Sequence, residues 1–380
     1  MADSKIEWTD ATWNPVRGCA VVSPGCANCY AMRQAHRFSG EGQPYDGLTR
    51  LTKGRPVWTG RARFVPEVLA APLKWKRPRR VFVNSMSDLF HDDVTDEQIA
   101  AVFGVMGACH RHTFQILTKR PERMRAWFEW VRREAEDQEY GLLHDACGQL
   151  SHILDPGERM LDDGPTRFDE AMEDLMGVEW PLPNVWLGVS TENQKAADER
   201  IPLLLRTPAA VRFVSAEPLL GELDLTHFLK PTLVARDGER LQHPDPRVPS
   251  TGGTWEHGLN WVIVGGESGP GARGCNVDAV EGLVLQCIDA GVPCFVKQLG
   301  ARPFQEREAE GGAHGTDEAL ARFGEPHPQR PWFKGWTLVH TPDGRSRWTK
   351  SLQLSDRKGG DPAEWPEALR VRQFPEARHG

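Results

Sequence analysis

The sequence predicts an α/β protein built as a complete or partial (β/α) barrel, and three observations carry that prediction. Short apolar runs recur at "VFVNSMSD" (81–88), "TFQILTKR" (113–120), "VWLGVSTEN" (185–193), "RFVSAEP" (212–218), "WVIVGGES" (261–268) and "CFVKQLG" (294–300). Four or five consecutive apolar residues suit strands buried on both faces, which is the habit of parallel sheets. Segments with apolar residues at helical spacing alternate with these runs, as βα units require. The alternative is a doubly wound open sheet, but no Gly-rich phosphate loop follows the first strand to favour it.

Taken in order, "KIEWTDATW" supplies a first strand and leads into a loop rich in Cys, Gly and Pro. The helical segments "DEQIAAVFGVMGAC", "NQKAADERIPLLL" and "DAVEGLVLQCIDAG" separate later strands, the last ending in Gly as a stop signal. The barrel-like domain spans residues 1–300, with insertions at about 126–182 and 222–258. The first insertion carries a strong excess of Asp and Glu over Arg between 131 and 180. An extension, 301–380, follows; its Trp332, Trp336, Trp348 and Trp365 predict that it packs on the body.

At 380 residues, 39% hydrophobic and 26% charged, the chain reads as a soluble globular protein. The first residues, "MADSKIEWTD", hold no apolar core of a signal peptide, and no run is long enough to span a membrane. A cytoplasmic protein is therefore expected. Its net charge of −7 excludes no partner, because the acidity is concentrated in the insertion.

Eight cysteines are too sparse for a disulfide scaffold. Three of them, Cys19, Cys26 and Cys29, crowd into "RGCAVVSPGCANCYAM" after the first strand, which puts them at the barrel mouth. Three thiolates from one loop can hold three irons of a [4Fe-4S] cubane and leave the fourth iron open. Structural zinc is the alternative, with His36 as fourth ligand, although paired CxxC knuckles are absent. Ordinary core cysteines are a third reading, which the surrounding Gly18, Pro24 and Gly25 disfavour.

Sites in βα architectures form at the C-terminal ends of strands. Polar groups stand there after nearly every run: Asn84, Ser85, Ser87 and Asp88; Thr118, Lys119 and Arg120; Ser190, Thr191, Glu192 and Asn193; Ser215 and Glu217; Glu267, Ser268 and Arg273; Lys297 and Gln298. Lys119, Arg120, Arg123 and Arg273 are phosphate candidates, with salt bridging to Asp88, Glu217 or Glu267 as the alternative. The basic run "KWKRPRR" (74–80) precedes a strand, so it belongs on the opposite face of the barrel.

A cysteine loop after the first strand, ending in CxxC plus an aromatic (Cys26, Cys29, Tyr30), resembles the radical S-adenosylmethionine superfamily. "TWNPVRGCAVVSPGCANCYA", with "VFVNSMSDLFHDDV", "ILTKRPERM", "GVSTENQ" and "VIVGGESGPGAR", is similar over most of the chain to a phage-associated family with a three-cysteine motif. The spacing here is C-x6-C-x2-C where the superfamily has C-x3-C-x2-C, and Gly265, Gly266 and Glu267 stand on a later strand than its Gly-Gly-Glu. The resemblance implies an iron-sulfur enzyme that binds S-adenosyl-L-methionine at a [4Fe-4S] cluster and generates a 5'-deoxyadenosyl radical. A nucleic-acid base or nucleotide is the expected substrate, and a reductase or a flavodoxin- or ferredoxin-type protein the electron donor.

On that reading Ser85 and Ser87 meet the cofactor's amine, Ser190, Glu192 and Asn193 its ribose, and Tyr30 its adenine. Glu217 and Glu267 complete the cofactor-facing set, Lys119, Arg120 and Arg273 hold the substrate, and Cys275 returns a hydrogen atom to a product radical. Cys275 as a small buried residue is the alternative. A non-catalytic, zinc-stabilised nucleic-acid-binding module is the other function class the sequence allows.

Overall fold

The computed structural model describes residues 4, 6–136, 180–234, 240–241, 254–256, 258–308, 336–340 and 346–375. Its centre is a curled sheet of seven parallel strands: β1 Ala11–Trp13, β2 Arg80–Val83, β3 Thr113–Thr118, β4 Val185–Ser190, β5 Val211–Ala216, β6 Trp261–Gly265 and β7 Cys294–Gln298. They pair in sequence order, with neither outer strand paired to the other, so the sheet is a half-barrel. Helices α1 Tyr30–His36, α2 Asp96–Ala108, α3 Pro121–Glu136, α4 Gln194–Leu205 and α5 Val277–Ala290 follow β1, β2, β3, β4 and β6. Local chemistry sets their ends. Thr95 and Gln98 form a reciprocal capping box on α2, and Gly291, at φ 67°, terminates α5.

Alternation along the strands separates two cores. Val81, Val83, Phe114, Ile116, Val262 and Val264 belong to the large apolar core that also takes in the helices. Phe82, Trp186, Phe213, Trp261, Ile263 and Phe295 form a second cluster with Trp8. Tight packing there demands Gly188, where a Cβ would meet the Phe213 ring at 2.5 Å. This second cluster is a largely aromatic floor inside the curl, in which the fully buried Gln115 donates to Trp8 O at 3.4 Å.

One outer edge, that of β7, is covered by the C-terminal segment. Val296 N donates to Val371 O at 2.8 Å and Gln373 N to Cys294 O at 2.8 Å, which covers the free edge of β7. Phe374 then packs against Trp261 and Phe295, with the Arg80 guanidinium 4.2 Å from its ring, so the tail reaches from β7 to β2. Trp365 is 2% exposed and donates to Gly359 O. Residues 126–136 continue α3, so the first interruption starts after it; Cys147, the acidic stretch beyond and Trp332 lie outside the described residues. Among those described, no helix is long and apolar enough to cross a membrane.

Candidate functional site

The cysteine loop lies across the C-terminal ends of the strands. Gly18, at φ 88° and with a Cβ position only 2.4 Å from Arg61 O, turns the chain into it, and Gly18 bridges Ser87 beyond β2. Cys19, Cys26 and Cys29 are all half-buried free thiols. A short 3-10 turn, Pro24–Cys26, and helix α1, which starts immediately after Cys29, hold the second and third of them.

Three arginine-bound carboxylates stand at the strand ends, and two of them, Glu192 and Glu267, anchor this loop directly. Beyond β2, Asp88 accepts from Thr118 at 2.8 Å and Lys119 N at 3.2 Å and pairs with Arg120 at 3.0 Å. Arg120 in turn acts electrostatically on Cys19, favouring its thiolate. Beyond β4, Glu192 is fully buried, pairs with Arg200 at 2.9 Å and accepts from Gly25 N at 3.4 Å. Beyond β6, Glu267 is bound by Arg273 and accepts from Asn28 at 3.0 Å. Buried charge of this kind persists only when paired. Burial pushes Glu192 and Glu267 upward. Ser23, Arg200 and Lys119 outweigh it at Glu192, and Arg273 with Asn28 at Glu267, so both sit below the ordinary glutamate value.

These pairings revise several sequence expectations. Arg120 and Arg273 are ion-paired, as the salt-bridge alternative had it, and Arg123 pairs with Asp96 at 2.7 Å. Glu192 and Glu267 spend their oxygens on the cysteine loop. Asn193 is the N-cap of α4, its side chain accepting from Ala196 N at 2.9 Å. Ser87 donates to Val16 O at 2.7 Å, and Ser85 to Asn14 Oδ1 at 3.2 Å. Cys275 is fully buried against Gly266, and burial pushes its thiol up to about 12, so it belongs to the core and not to the mouth. His36 is engaged by Thr49 at 3.0 Å and Ser39 at 3.2 Å. Among the described residues no three His, Cys, Asp or Glu side chains converge as the ligands of one metal ion.

What remains open at the mouth is a smaller set. Tyr30 donates its hydroxyl to Ser85 O at 2.7 Å while its residue surface is 49% exposed, presenting a ring at the rim. On the inner wall, Lys297 pairs with Glu217 at 3.0 Å, and Ser215 donates to the other Glu217 oxygen at 3.1 Å. Ser190 and Thr191 are buried, and the Thr191 hydroxyl has no partner among the described residues. Burial pushes Cys19 up to about 12; Asp88 adds to this and Arg120 opposes it. Cys29 is likewise raised by burial, against the pull of Lys119. A bound metal reverses this balance, because ligation requires thiolates.

Sequence reasoning left out Arg200 and Asn28. Arg200 carries a detectable signal, a lone cation on the buried face that Ala196, Ala197, Ile201 and Leu204 define. Asn28 carries none, since an Asn in a Gly- and Pro-containing loop is ordinary. Residues 3–327 match the family described as Protein of unknown function (DUF5131), and the chain belongs to that family. No curated protein and no solved structure matches the chain.

Proposed function

We propose that this member of the DUF5131 family is a cytosolic iron-sulfur enzyme of the radical S-adenosylmethionine type, acting on a nucleic-acid base or nucleotide and fed by a small electron-transfer protein. The observation that carries the reading is the loop itself: three half-buried thiols from one short loop, held at the mouth of a half-barrel. Structural zinc takes four protein ligands, whereas three cysteines can hold a cubane and leave one iron open, so three clustered cysteines in one loop favour the second.

The residues fit that group by donor chemistry. Cys19, Cys26 and Cys29 are its ligands, and Arg120 and Lys119 supply the positive charge that favours thiolates at Cys19 and Cys29. When bound, the cluster with S-adenosylmethionine supplies one-electron reduction and hydrogen-atom abstraction. The chain's own part is support and exclusion. Glu192 and Glu267, each bound by an arginine, fix the loop, the aromatic floor bars water from below, and Tyr30, Ser215, Glu217 and Lys297 offer a ring and polar contacts to whatever enters. Anaerobically reconstituted protein, given S-adenosylmethionine and a strong reductant, is expected to release 5'-deoxyadenosine, and no release from iron-loaded protein would refute the activity. The zinc-stabilised binding module predicts colourless protein and no such product.

A further inference from the structure

A further excess of positive charge lies where the sequence reading placed no site. Between Arg17 and Arg63 the chain carries eight Arg and Lys against only Glu41 and Asp46, within a protein of net charge −7. None of the eight forms an ion pair with a carboxylate among the described residues. Arg37, Arg50, Lys53, Arg55, Arg61 and Arg63 are exposed.

Much of this charge rides on an antiparallel ribbon, Thr49–Thr52 paired with Arg55–Trp58. Lys53 and Gly54, at φ 51° and 75°, make the two-residue turn. The register puts Arg50 and Arg55 on the same face. The ribbon is fixed to the mouth, because Val57 and Trp58 share one apolar cluster with Cys19, Cys29 and the α1 residues Ala31, Met32 and Ala35. A cationic surface without ion pairs among the described residues therefore adjoins the thiols, with Asp93, which accepts from Ala62 N at 2.8 Å, at its margin, whereas the exposed Lys74, Lys76 and Arg77 precede β2 at the opposite end of the sheet.

We propose that this ribbon and its flanks bind the phosphate backbone of a nucleic acid and present it to the cysteine-lined mouth. The inference rests on the nucleic-acid part of the function proposed above and not on its cluster. Charge alone fits any polyanion; composition narrows the partner. Seven of the eight cations are Arg, whose planar fork matches phosphate oxygens in pairs. Phe38 and Leu51, 45% and 60% exposed, stand among them as surfaces for stacking on bases or wedging between them. Arg120 and Arg273, consumed by Asp88 and Glu267, are replaced in this role.

The test is an anisotropy titration of the full chain with fluorescein-labelled single-stranded DNA, RNA and duplex of about 20 nucleotides, at about 50 to 300 mM KCl. Arg50→Gln/Lys53→Asn/Arg55→Gln is expected to weaken binding and to flatten the salt slope by about 2 to 3, at roughly 0.7 to 0.9 per lost phosphate contact. Asn keeps the left-handed turn position tolerable. Arg37→Gln/Arg61→Gln, outside the ribbon, is expected to flatten it by about 1 to 2. The matched control Lys74→Gln/Lys76→Gln/Arg77→Gln is expected to change neither quantity. Absence of nucleic-acid binding, or loss only in the control, overturns the proposal. Equal affinity for polyglutamate also overturns it, in favour of an acidic protein partner. Because the titration needs no iron, binding by iron-free protein separates this surface from the enzyme reading: the surface can stand where the cluster fails.

Discussion

Glu192 and Asn193 are neighbours in sequence with different work, and substitution separates them. Glu192→Ala leaves the buried Arg200 without its carboxylate and releases Gly25 N, so it is expected to cost about 3–5 kcal/mol in chemical denaturation and to lower bound iron. Asn193→Ala removes only a helix cap, about 1 kcal/mol, and leaves iron unchanged. Equal iron loss in both would contradict the brace. Cys275 gives a second check. Its thiol stays protonated until about pH 12 in the fold and ionises near 9.0 when exposed. The stability it contributes is therefore fully present below 9.0 and lost as pH rises toward about 12. Native protein at pH 8 is expected to resist alkylation at Cys275 until denaturant is added, as peptide mass spectrometry would read; rapid native labelling would return this residue to the mouth. At this scale the residue types at the strand ends were legible in the sequence. Asp88 and Glu267 were legible as ion-pair partners of the strand-end arginines; Arg200 and Asn28 were not, because Arg200 reaches Glu192 from inside a helix and Asn28 reaches Glu267 across most of the chain.

The βα units are the elements the sequence reads best, since apolar strand runs and helical spacing are local patterns; six expected runs coincide with the six strands β2 to β7, of which β2 and β5 start one residue earlier. The ribbon Thr49–Trp58 was missed because "TRLTKGRPVW" has no apolar run, only a Lys-Gly turn whose positive φ values become evident in three dimensions. The edge cover at 371–373 was illegible for a different reason. Its pairing with β7 uses backbone groups, which leave no side-chain signature. That element has its own expected outcome. Truncation after Arg370 removes Phe374 from the floor and uncovers the β7 edge, so a lowered melting temperature and self-association in light scattering are expected. A monomer of unchanged stability would show that the tail is dispensable to closure.

At the scale of the whole molecule, a half-barrel whose tail covers the edge of β7 carries its polar strand-end groups at one end and a largely aromatic floor beneath them. The same end holds the three thiols and the exposed cationic ribbon, while the net negative charge of the chain masks both. Fold class was predictable because it is written in periodicity. The distribution of charge over the surface was not, since it depends on which cations find carboxylates after folding. The central claim is that Cys19, Cys26 and Cys29 together hold a cluster with one open iron, and metal analysis tests it most directly. Protein prepared anaerobically is expected to contain about four iron and four acid-labile sulfide per chain, with most of both lost in each of Cys19→Ala, Cys26→Ala and Cys29→Ala and retained in Cys109→Ala. About one zinc per chain without sulfide, or a full complement of iron in all three loop variants, would contradict it.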